Sequence, residues 1–130
     1  MDRYDEACEW IAYADNDFEA AQQLATFHPP KIEIICYHCQ QSAEKMLKAF
    51  LVNVGIIPPK VHDLEEIRNK CEVVDGSFSL LSSESVRLND YSSQPRYPFG
   101  LEISEDDMRL AIKDSERIRN FIKEKILLKT

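Results

Sequence analysis

The chain predicts an all-α protein, an up-and-down bundle of four to five helices. Three observations carry this. Apolar residues recur at helical spacing over the first quarter of the chain, from Ala7 and Trp10 to Ala25. The stretch Tyr37-His38-Cys39-Gln40-Gln41-Ser42-Ala43-Glu44-Lys45-Met46-Leu47-Lys48-Ala49-Phe50-Leu51 is apolar over more than half of a helical circumference. A third stripe, Met108, Ala111, Ile112, Ser115, Ile118, Ile122 and Ile126, lies on one face of a closing helix. No segment shows the two-residue alternation of a half-buried strand.

The first helix is expected over about 4–26. Ala7, Trp10, Ile11, Ala14, Phe18, Ala21 and Ala25 form its inward stripe, with Trp10 in the core, while Asp5, Glu6, Asp15, Asp17 and Glu19 lie elsewhere. Pro29 and Pro30 stop it, because proline cannot continue the hydrogen-bond ladder. The second helix is expected over about 31–54, with Gly55 as its C′ residue and Pro58-Pro59 beyond. A short third helix, about 63–71, opens with acidic residues that suit the helix dipole. Asp75-Gly76 marks a turn, and a weaker fourth helix spans about 79–91. Residues 92–103 form the longest loop, with Pro95, Pro98 and Gly100. Ser104-Glu105-Asp106-Asp107 resembles a capping box with Asp in place of Glu, opening a last helix that runs to about Leu128.

Composition limits the function. A chain of 130 residues predicts one domain, 1–130, able to bury a core without a disulfide or metal staple. The formal charge of −7 argues against broad nucleic-acid binding, which needs Lys and Arg to neutralise phosphates. No apolar run approaches the roughly 18 residues of a membrane span. The acidic opening Met1-Asp2-Arg3-Tyr4-Asp5-Glu6 is unlike a secretory signal, so a cytoplasmic, reducing setting and free thiols are expected. Cys36 and Cys39 form a C-x-x-C inside an apolar helix rather than at its N-terminus. With no second such pair, they read as small core residues and not as a metal or redox site.

The second helix also carries a polar stripe. At about 100° per residue, Tyr37, Gln41, Glu44 and Lys48 share a sector of roughly 60°, with His38 and Lys45 beside it. Such a stripe is solvated, paired inside, or turned to a partner. As a solvated face it would hold an i,i+4 Glu44–Lys48 pair of modest strength. Tyr and His do well where one side is dry and the other wet, which fits a dimer interface or a pocket wall.

The second-helix stretch resembles the signature helix of HEPN domains (higher eukaryotes and prokaryotes nucleotide-binding). His62-Asp63-Leu64, and Leu88-Asn89-Asp90-Tyr91 followed by Arg96-Tyr97-Pro98, are similar to two further segments of that family, in the same order. The resemblance implies a helical bundle, commonly a homodimer, that binds a nucleotide or cleaves RNA. It also implies a minimal nucleotidyltransferase partner in a toxin–antitoxin-like pair. RNA-cleaving members resemble one another in an Arg-x4–6-His motif, which supplies a proton-transfer group and a cation for the developing phosphate charge. Here Arg96 is followed at those offsets by Leu101, Glu102 and Ile103, and His28, His38 and His62 precede every Arg except Arg3. No catalytic residue, cofactor or metal is therefore assigned, and catalysis by His38 or His62 with Arg96 stays as an alternative. The candidate ligand-binding residues are His38, Gln41, Lys45, Lys48, His62, Tyr91, Arg96 and Tyr97. Beside this stands an adaptor that binds only protein, to which an acidic surface is equally suited.

Overall fold

A computed structural model describes residues 1–92 and 102–127, and these residues are helical with no strand among them. Helix α1 spans Arg3–Leu24, α2 Ile32–Asn53, α3 Leu64–Val74, α4 Ser82–Asn89 and α5 Glu105–Leu127. A 3-10 segment, Gly76–Leu81, joins α3 to α4. The all-α bundle expected from the periodicity is the one found.

Several helix ends have a local chemical cause. Asp2 opens α1 by accepting the Asp5 amide at 2.8 Å. Helix α2 ends in a Schellman motif. Gly55 takes φ +84°, the Ile56 amide donates to the Leu51 carbonyl at 2.9 Å, and the Gly55 amide donates to Val52 at 3.0 Å. Asp63 is the N-cap of α3, accepting from the amides of Glu65 and Glu66. The capping box of α5 closes in both directions. The Asp107 amide donates to Ser104 Oγ, and the Ser104 amide donates to Asp107 Oδ2, each at 3.0 Å.

Two elements differ from expectation. Helix α3 continues past Cys71 to Val74, because Arg68 lies along it and pairs with both Glu65 and Glu72. The segment 79–91, expected as one helix, splits into the 3-10 turn and α4. Asp75 causes this by holding the Ser77 amide and hydroxyl at 3.0 and 2.7 Å, which winds the next turn tightly.

Helix α2 is central. It packs on α1, α3, α4 and α5, and Met46 to Val52 are buried without a break. The small stripe Ala7, Ala14 and Ala21 is fully covered on α1, with Ile11 and Phe18 beside it. Trp10, expected in the core, is only half-buried and packs against the core's edge. Helices α4 and α5 run antiparallel, as two ion pairs show: Glu84 with Arg117 at 3.0 Å and Arg87 with Asp114 at 2.8 Å. Phe78 plugs the end of the bundle. Its ring lies 4.5 Å from that of Phe50 and 5.0 Å from that of Phe121. No helix among the described residues is long and apolar enough to cross a membrane.

Phe78 is fully buried between two rings, so Phe78→Ala should cost about 3–5 kcal/mol in urea unfolding. Lys125 first, then Ser77, hold the Asp75 carboxyl well below the usual carboxylate range, at about 2. Its stabilising effect is complete above pH ~4 and is lost as pH falls through ~2. Thermal unfolding of the parent between those values should therefore fall more steeply than that of Asp75→Asn.

Candidate functional site

The polar stripe of α2 is turned inward. Asp17 on α1 takes two of its members at once, with His38 Nδ1 at 2.9 Å from one oxygen and the Lys45 amine on the other. Glu44 and Lys48 are 5% and 7% exposed and pair with each other at 3.1 Å. The solvated-face reading of this pair is thus overturned: α1 and the start of α3 cover it. An ion pair this deep survives only when its remaining polar positions are also met. Both ends comply. The second oxygen of Glu44 receives His62 Nδ1 at 3.0 Å, and the Lys48 amine lies 6.0 Å from the Trp10 ring centre.

His62 is where the separate motifs meet. The buried Gln40 amide donates to the His62 carbonyl at 3.1 Å, and Gln41 donates to Gln40 at 2.8 Å. One residue later Asp63 caps α3, and Asn89 closes the joint from α4. Asn89 accepts the Leu64 amide at 2.9 Å and donates to Asp63 at 3.1 Å. Gln40 and Glu44 of the first quoted segment, His62 to Leu64 of the second and Asn89 of the third therefore meet at one hydrogen-bonded corner. The His62 side chain itself is 71% exposed. A carboxylate can only accept from Nδ1, so the hydrogen of the neutral ring sits there and Nε2 presents its lone pair. Among the described residues, Nε2 has no partner.

Tyr91 has other partners. Tyr91 hydrogen-bonds the Cys36 thiol, and lines a cavity of about 140 Å³ with Arg87, Asp107 and Asp114. Cys36 is roughly two helical turns from Glu44, so Tyr91 and the His62 corner are not one site. Arg96 and Tyr97 lie outside the described residues. The C-x-x-C is packing: Cys36 and Cys39 are fully buried, and burial pushes the Cys36 thiol up to about 12 and the Cys39 thiol up as well. Thiols held in this form are poor nucleophiles and poor metal ligands. Among the described residues no group of His, Cys, Asp or Glu is placed to hold a metal ion.

Beside the corner runs a groove floored by Trp10. One part, about 550 Å³, is lined by Arg3, Glu6, Glu9, Val52 and the 55–58 loop. The next, about 300 Å³, is lined by Glu9, Trp10, Tyr13 and Lys45. Tyr13 and Ile57, 64% and 89% exposed, present apolar surface there to solvent.

Asp17, Asn89 and Gln40 were not singled out from the sequence. Asp17 did leave a trace: it sits three residues after Ala14 and four before Ala21, on the border of the buried stripe. A carboxylate at that border, opposite a helix carrying His and Lys, is placed to cross between helices. Asn89 stood within a quoted segment, but its role did not show, since its partners are a backbone amide and a cap.

A family model for the HEPN domain matches residues 7–126. No curated protein matches the chain significantly. With nearly the whole chain matched, the chain belongs to the HEPN domain family, helical modules of nucleotide-binding or ribonuclease-like type.

Proposed function

We propose that this protein is a HEPN module that works by docking protein: a second copy of itself, and a minimal nucleotidyltransferase with which it forms a toxin–antitoxin-like pair. One observation carries this reading. The cations of the α2 stripe are engaged inside the bundle, Lys45 and His38 on Asp17 and Lys48 on Glu44. The neighbouring surface offers Trp10, Tyr13, Ile56 and Ile57 instead. Phosphate binding needs cations that are free to meet it. Half-buried aromatic and aliphatic side chains beside a groove are the usual anchors of a protein interface. The net charge of −7 favours a partner with a basic face.

The His62 corner supports a second reading, in which the module takes a nucleotide. Its exposed imidazole is fixed by Glu44, and the sequence offers Arg96 and Tyr97 as further groups of the polar and aromatic kinds such a ligand uses.

Two measurements separate the readings. The neighbour-encoded protein, co-expressed with this chain, should co-purify with it, and Ile57→Asp should weaken the complex at least about tenfold by calorimetry. An unchanged affinity would move the interface away from the groove. Titration with ATP should give little heat under the docking reading. Clear binding that is lost in both His62→Ala and Arg96→Ala would establish the nucleotide reading in its place.

A further inference from the structure

We propose that His62 is a phosphoryl-accepting nucleophile, modified at Nε2 by donors whose phosphorus carries a good leaving group. The inference stands on the geometry of the corner and is independent of what docks in the groove.

Three features prepare the ring. Its backbone is held on the C-terminal side, by Gln40 on the carbonyl and by the Asp63–Asn89 joint one residue on, so the side chain projects from an anchored base. Its Nδ1 is committed to Glu44 at 3.0 Å, which leaves the lone pair on Nε2. The side chain is 71% exposed, so a phosphorus centre can approach in line. Of the other histidines, His38 is half-buried with Nδ1 on Asp17, and His28 is exposed on the loop after α1.

The step balances. The Nε2 lone pair attacks phosphorus and an N–P bond forms. The bond to the leaving group breaks, and that group departs with its electron pair: ammonia from a phosphoramidate, a carboxylate from an acyl phosphate. The ring then carries the phosphoryl group on Nε2 and still holds its proton on Nδ1, so it becomes cationic. Glu44 faces that cation at hydrogen-bond distance. The arrangement matches that of a nucleophile or base steadied by a buried carboxylate. Lys48 donates to the other Glu44 oxygen at 3.1 Å and holds the carboxylate in place. At the start of α3, Glu65 is turned to Arg68, Asp63 accepts amides, and Glu66 is exposed to solvent.

Potassium phosphoramidate tests the proposal on the intact protein, with intact-mass and peptide mapping for the site and NMR for the ring nitrogen. The expected result is one phosphoryl group per chain on His62 Nε2, gained at least about tenfold faster than on His28. In Glu44→Gln the advantage over His28 should disappear. That substitution leaves Lys48 buried and unpaired and can fail to fold, so the His62 to His28 ratio in the parent is decisive alone. Equal rates at the two histidines, or modification at Nδ1, would overturn the proposal, as would a folded Glu44→Gln protein that keeps the advantage.

Discussion

Everything around the site depends on a buried carboxylate. Glu44 sits on the central helix, where nearly every direction is occupied by another helix. Removing a carboxylate from water is costly, and the cost is offset only if both oxygens find donors. Lys48, one turn on, supplies one donor and His62 the other. The first partner is within the helix. The second must be brought by the chain after it has left α2, passed Gly55 and turned into α3. The carboxylate thus dictates where the 55–62 connection returns. That return point also fixes the groove along α1, since the 55–58 loop is one of its walls.

Acidic residues do a similar task elsewhere. Asp17 joins α1 to α2 through His38 and Lys45, and Asp15 joins α1 to α5 through Arg119 and Lys123 at 2.7 and 2.8 Å. Asp114, also buried, takes Arg87 with two parallel bonds of 2.9 and 2.8 Å and ties α5 to α4. Many of the positive charges in this acidic chain are consequently inside the structure or across its seams. That distribution, more than the net charge, limits what the surface can bind. At the corner and the groove beside it, an imidazole and apolar side chains face solvent next to Arg3, Glu6 and Glu9.

Much of the fold was legible in the sequence because its signals are local. Ala7 to Ala25 and Met108 to Ile126 follow the helical period, and Gly55, Asp63 and Ser104 end or begin helices through bonds within a few residues. The split at Ser82 was not legible, since the tight turn before it hangs on Asp75, whose other partner is Lys125 on the last helix. Trp10 was misplaced in the core for a related reason. Its spacing puts it on the inward side of α1, but there it borders two cavities open to solvent and stays half-buried.

The candidate site was legible as a set of residues and not as an arrangement. By itself the sequence determined that α2 is an apolar rod with Tyr37, His38, Gln41, Glu44, Lys45 and Lys48 on one arc, and that three segments resemble one family. Helical geometry sets such angles within a segment, whatever surrounds it. Only the tertiary structure decided that the arc faces inward, that Glu44 is shared by Lys48 and His62, and that Asn89 locks the corner. It also put Tyr91 with Cys36, away from that corner. The bonds of Glu44 to His62 and of Asn89 to Leu64 and Asp63 join residues 18 to 26 positions apart. Burial and partners at such separations follow from how helices pack together, which no local spacing encodes.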